Sequence, residues 1–169
     1  MKRVLVTGMS GVGKSALLDE LAARGYRTVD TDCGDYYETV DGEQLWRRDR
    51  IESLLRTAGD DGDDAADAAD DGVLFVQGTT RNQGSFYPWF DHIVLLSAPV
   101  EVLIERLATR TTNPYGKDPA ELAETLEYVK TVEPLLRASA TLEVVTTVPV
   151  PAVADIVLAH VLGPQLHSD

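Results

Sequence analysis

Apolar residues along this chain follow two alternating patterns. Short, nearly continuous runs at 3–7, 73–77, 93–96 and 142–146 read as buried strands, with 27–30 a further, second strand in chain order. Between them apolar positions recur at three- and four-residue spacing. That spacing predicts helices at 14–24 (Leu17, Leu18 and Leu21 on one face, Gly25 as the stop), 43–57 (Leu45, Trp46, Ile51, Leu54, Leu55), 99–109, 119–137 and 151–162. Strands alternating with helices predict an α/β sandwich built on a mainly parallel sheet. No internal repeat or domain linker interrupts the pattern. Between Asp60 and Asp71, seven of twelve residues are Asp and the rest Ala and Gly, which reads as a solvated connector or frayed helix end.

Composition narrows the partners. The 169 residues suit one domain, 1–169. No apolar run approaches the ~20 residues that cross a bilayer. Met1-Lys2-Arg3 leads into an apolar stretch too short for a secretory signal. A single cysteine, Cys33, allows no internal disulfide, so the expected setting is a reducing cytoplasm. The net charge of −13 argues against a nucleic-acid partner, whose backbone needs a basic surface. A nucleotide is still compatible, because local amides and one or two cations suffice for a triphosphate.

The strongest motif lies after the first strand. Gly8-Met-Ser-Gly-Val-Gly-Lys-Ser15 satisfies G-x-x-x-x-G-K-[ST] and opens an amphipathic helix, as a phosphate loop requires. Gly8, Ser10, Gly11, Val12, Gly13, Lys14, Ser15 and Ala16 are therefore the expected ATP-binding residues. Lys14 is expected to bridge the β- and γ-phosphates, and the Ser15 hydroxyl to hold Mg²⁺. Asp30-Thr31-Asp32 ends the second strand, on the edge where parallel sheets place ligands. Alternate residues share a side, so Asp30 is a candidate for the metal's waters and Asp32 for a hydroxyl proton. Two solvated turn aspartates would have the same spacing.

With these residues the chain resembles the shikimate kinases and related small metabolite kinases, from residue 3 to about 147. Gly42-Glu43-x-x-Trp46-Arg47 is similar to that family's Gly-Glu-x-x-Phe-Arg, and Pro134-Leu-Leu-Arg137 to its Pro-Leu-Tyr-Arg. The resemblance implies that Arg47 and Arg137 hold a substrate carboxylate. It also makes Arg110 an adenine-side arginine and Lys117 the lid cation. The family's glycine triplet is replaced here by Gln77-Gly78-Thr79-Thr80, and its lid Arg-Pro by Asn113-Pro114-Tyr115-Gly116-Lys117. Arg81, in a loop rich in hydrogen-bonding side chains, joins Gly78 as a candidate acceptor contact. Trp46, Tyr36 and Tyr37 either wall the acceptor pocket or pack the core.

The resulting expectation is a P-loop kinase fold: a three-layer sandwich with a five-stranded parallel sheet in the order 2-3-1-4-5. An acceptor-binding segment at about 33–72 and a lid at about 111–118 would close over the nucleotide. The expected activity is transfer of the γ-phosphate of ATP, with Mg²⁺, to a hydroxyl of a small anionic or polar metabolite by a monomer or homodimer. Lys14, Asp32, Arg110 and Lys117 would be catalytic, and Asp32, Arg47, Gly78, Arg81 and Arg137 would bind the acceptor. A nucleoside monophosphate kinase and a non-catalytic ATP-binding regulatory module are the alternative readings.

Overall fold

Five parallel strands carry the molecule. A computed structural model describes residues 2–9, 11–60, 72–109 and 118–163. The sheet comprises β1 (Lys2–Thr7), β2 (Arg27–Asp30), β5 (Val73–Gln77), β6 (His92–Ser97) and β7 (Leu142–Val145), in the order β2-β5-β1-β6-β7. Counting these five alone in chain order gives 2-3-1-4-5, the order expected of a P-loop kinase fold. β1 is central, pairing Val4 with Phe75 on one side and His92 on the other.

The two-residue period of the strands divides the core into two. Val4 and Val6 of β1, with Val73 and Phe75 of β5, face a layer of helices α1 (Lys14–Ala23), α3 (Val100–Thr109), α5 (Glu133–Ser139) and α6 (Val150–Leu162). Leu5, Leu74 and Val76 point the other way, against Trp46, Ile51, Leu55, Phe86 and Phe90. This second layer is built from α2 (Arg48–Asp60) and a 3-10 helix at Gln83–Trp89. Strands buried on both faces explain why the sequence reads as continuous apolar runs.

Two helical expectations need correction. Residues 43–57 are not one helix: Tyr37–Val40 (β3) and Glu43–Trp46 (β4) form an antiparallel hairpin, and α2 starts at Arg48. Asp41 and Gly42, both at positive φ (52° and 81°), make a two-residue turn of the kind that matches strand twist. The Asp-Gly pair was the local signal for it, and it outweighs the apolar spacing of Leu45 and Trp46. Residues 119–137 also divide, into α4 (Pro119–Thr131) and α5. Pro134 lacks an N–H and crowds the preceding turn, so the helix restarts there.

The turn makes a prediction. Gly42→Ala should destabilise the protein by about 1 kcal/mol, or ~3 °C in melting temperature, because an L-residue is strained at this φ. Open space surrounds the position, so no steric clash adds to the cost. Scanning calorimetry of the two proteins measures the shift, and an unchanged melting temperature would show that the turn is not formed as described.

Candidate active site

The phosphate loop leaves the C-terminal end of β1 and enters α1 through Gly13, whose φ of 102° is left-handed and gives the helix no side-chain cap. Gly8 and Gly11 also lie at positive φ. At Gly8 a Cβ would stand 2.5 Å from the Leu96 carbonyl oxygen, so the loop can lie this close to β6 only without one. The Lys14 ammonium is folded into the arc, donating to the carbonyls of Gly8 (2.6 Å) and Met9 (3.1 Å). Thr79 supports the loop from the next strand end, donating to Gly8 O at 2.8 Å and accepting from Gly8 N at 3.3 Å.

A cleft of about 540 Å³ opens over this loop. Residues 11–17 line it together with Asp32, Gln77, Arg106, Thr109, Thr146 and the segment 148–150. That volume lies within the range of small-molecule sites. Ser10, Arg110, Lys117, residues 111–117 of the expected lid and the Asp-rich 61–71 lie outside the described residues.

Asp30 and Asp32 converge. The Gln77 amide nitrogen donates to a carboxylate oxygen of Asp30 and, at 3.4 Å, to Asp32. The Asp32 backbone N–H donates to Asp30 at 2.9 Å, closing a tight turn. From the hairpin, Tyr37 donates its hydroxyl to Asp32 at 3.0 Å. Burial pushes the Tyr37 hydroxyl up to about 12, so it keeps its proton at neutral pH and stays a donor. Thr31, fully buried between the aspartates, donates to Gln77 O at 2.8 Å and accepts from the Trp46 indole at 3.1 Å.

The structure separates the acceptor candidates. Trp46 is core, 1% exposed, with its backbone clamped by the Asn82 amide at 3.0 and 2.9 Å. The indole covers Gly78: a Cβ there would meet Trp46 Cζ2 at 2.6 Å and Thr31 Oγ1 at 2.5 Å. Arg47 pairs with Asp35 and Asp49, which raise it further above its ordinary value. Arg81, largely exposed, pairs with Glu43 of β4 at 3.0 Å. Arg137 is not brought to this group. It sits beside the edge strand β7, held by Glu143 (2.7 Å) and Glu133 (2.9 Å), and its guanidinium keeps Glu143 below the usual carboxylate range.

Two residues of the site escaped the sequence reading. Gln77 appeared there as a strand end and a replaced glycine, yet its side chain joins the two aspartates. Arg106 donates to the loop carbonyl of Gly11 (3.2 Å) and to Thr146 Oγ1 (2.9 Å), and it also bonds the Thr146 carbonyl. The available signal was its place as the sole cation of α3, beside buried Leu103 and Leu107.

The donors fit a magnesium ion carried by a nucleotide. Ser15 lines the cleft, Asp30 is bonded to its neighbours Asp32 and Gln77, and both Ser15 and Asp30 offer hard oxygens. Among the described residues no group of three His, Cys, Asp or Glu gathers at metal-ligand spacing. An ion here would therefore complete its shell with phosphate oxygens and water. No helix among the described residues is long and apolar enough to cross a membrane.

Comparison with known proteins agrees with this geometry. The model of one family, the AAA domain, matches residues 4–127. No curated protein sequence matches the chain. Shikimate kinase from Acinetobacter baumannii in complex with shikimate superposes with a TM-score of 0.61 at 18% identity, over 98% of this chain and 96% of its own. A gluconokinase from Sinorhizobium meliloti 1021 gives 0.54 at 19% identity, over 95% and 91%. A sugar kinase from Janibacter sp. HTCC2649 gives 0.55 at 18% identity, over 94% and 93%. At such identities the likeness is one of fold.

Proposed function

The chain belongs to the AAA domain family, and from that premise we propose that it is an ATP-dependent phosphotransferase acting on a hydroxyl of a small polar metabolite. One observation carries the proposal: Lys14 and Ser15 of the phosphate loop line the same cleft as Asp32, whose carboxylate is oriented by Tyr37 and Gln77. A triphosphate site needs no such carboxylate to bind ATP. Transfer to an alcohol needs one to receive the proton.

In this reading the triphosphate lies on the loop amides and the N-terminus of α1. Lys14 turns from the Gly8 and Met9 carbonyls to the β- and γ-phosphates. Ser15 and Asp30 would hold the magnesium ion, which when bound would draw negative charge off the phosphate oxygens. The acceptor oxygen forms a bond to the γ-phosphorus as the bond from that phosphorus to the β–γ bridging oxygen breaks. The hydroxyl proton passes to Asp32, and ADP leaves with the electron pair of the broken bond. Arg47, beside the hairpin, and Arg81, in the loop after β5, are proposed to border the acceptor side. Arg110 and Lys117 are proposed as further cations at the transferring group. The neighbours' names support this class of reaction, since a shikimate kinase and a gluconokinase both phosphorylate small hydroxylated molecules.

The test is ADP release from Mg·ATP across hydroxylated acids, sugars and nucleosides, with Lys14→Ala as the blank. Acceptor-dependent release by the unmodified chain alone is the expected result. Stimulation by nucleoside monophosphates instead would assign it to a different acceptor class. Release that no compound raises above the blank would end the kinase reading.

A further inference from the structure

The charges that surround the acceptor side are distributed in an unexpected way for a kinase of acids. Over residues 30–50 and 77–83 there are seven carboxylates (Asp30, Asp32, Asp35, Glu38, Asp41, Glu43, Asp49) against four arginines (Arg47, Arg48, Arg50, Arg81). Each of the four arginines already has a carboxylate partner. Asp35 receives both Arg47 and Arg50, Asp49 receives Arg47, Glu52 receives Arg48 at 3.0 Å, and Glu43 receives Arg81. From α4, Tyr128 lies within electrostatic reach of Arg81, Glu43 and Glu124; burial and the two acids push its hydroxyl upward. Glu124 of α4 therefore adds a further carboxylate to the same neighbourhood.

The floor has the same polarity. Asp30 and Asp32 are met by neutral donors: the Gln77 amide, the Tyr37 hydroxyl and a backbone N–H. Gln77 is fully buried, and among the described residues its Oε1 has no hydrogen-bond partner. The amide cannot simply turn over, because Oε1 would then face two carboxylates. A buried acceptor without a donor is costly, and a donor arriving with a ligand removes that cost. The cleft thus offers Asp32 and Gln77 as acceptors at its floor, and the arginines of the neighbouring hairpin and loop are already neutralised by carboxylates. A carboxylate arriving at Arg47 would exchange one exposed ion pair for another and leave Asp35 beside the newcomer as a like charge. A hydroxyl or ammonium group meets no such opposition.

Resting on the kinase reading above, we infer that the acceptor carries no net negative charge: it is a neutral or cationic polyhydroxylated molecule, recognised by donating hydrogen bonds to Gln77 Oε1 and the carboxylates around it. The carboxylate-holding role that the family resemblance implies for Arg47 is replaced by a structural one, in which Arg47 fixes Asp35 and Asp49 at the base of the hairpin.

The experiment uses the full chain with Mg·ATP and three charge classes of probe: D-glucose, myo-inositol and adenosine; D-glucosamine; and D-glucuronate, D-gluconate and shikimate. ADP release and a phosphorylated product in the mass spectrum are both recorded. The neutral or cationic class should exceed the carboxylates in kcat/KM by about tenfold or more. In the Asp35→Asn/Glu43→Gln protein that ratio should narrow, with KM falling for the carboxylates and rising for glucosamine. Preference for a carboxylate would overturn this inference and leave the kinase reading intact. If no probe of any class raises release above the Lys14→Ala blank, the kinase reading fails and this inference fails with it.

Discussion

Asp32→Asn should reduce kcat by roughly 10²–10⁴-fold, the usual contribution of a positioned general base, while ATP affinity and melting temperature stay nearly unchanged. The substitution preserves shape, and Asn can still accept from Tyr37 with its remaining oxygen. What it removes is the second oxygen facing Gln77 and the capacity to take a proton. Gln77 keeps its bond to Asp30, so the turn at the end of β2 has no reason to open. Titration with a fluorescent ATP analogue, calorimetry and turnover, measured on one preparation, separate the outcomes. Turnover at the unmodified rate would show that the carboxylate takes no proton. Loss of turnover together with ATP affinity would instead make Asp32 part of the nucleotide site.

Gly78→Ala should destabilise the protein by about 1–3 kcal/mol, the range for overpacking a filled core, and should raise the acceptor KM more than that for ATP. The two atoms in the way cannot retreat independently. Thr31 Oγ1 is committed to the Gln77 carbonyl and the Trp46 indole, and the Trp46 backbone is clamped by Asn82. Relief must come from shifting Trp46, which moves the end of β4 and with it Tyr37, its partner in the hairpin register. The phosphate loop, supported through Thr79 and β6, is left in place. A drop of several degrees in melting temperature with acceptor KM raised is the expected pair of results. An alanine protein as stable as the original would mean that Trp46 does not cover Gly78.

The parts of this molecule legible in the sequence are those where local rules agree with one another. Strand β1, the glycine-rich turn and the amphipathic α1 each require the same neighbours, so reading any one supports the others. Apolar runs placed four of the five sheet strands, with 27–30 read as the remaining one without such a run. The hairpin was missed because Leu45 and Trp46 fit a helical period that continues through Ile51, Leu54 and Leu55, while Asp41-Gly42 carried the opposing instruction in two residues. Trp46 could not be assigned to core or pocket without knowing that Gly78 lies beneath it. Gln77 and Arg106 join the candidate site through partners 40 or more positions away in sequence, Asp30 and Asp32 for one and Thr146 and the loop for the other. Spacing along a helix or strand holds no information about such partners. Arg137 shows the reverse case: its short motif matched, yet Glu133 and Glu143 hold it at the far edge of the sheet.

The Arg106 guanidinium acts as a strut. By gripping the phosphate loop at Gly11 and the turn after β7 at Thr146, it fixes the span between the two walls that would hold opposite ends of a nucleotide. The hairpin at the other side is tied chiefly through Trp46 and Tyr37 and carries exposed ion pairs that water can replace. In the proposed reaction, movement of the described residues would therefore fall on the acceptor half, where the ion pairs are exposed, while the span gripped by Arg106 would stay fixed.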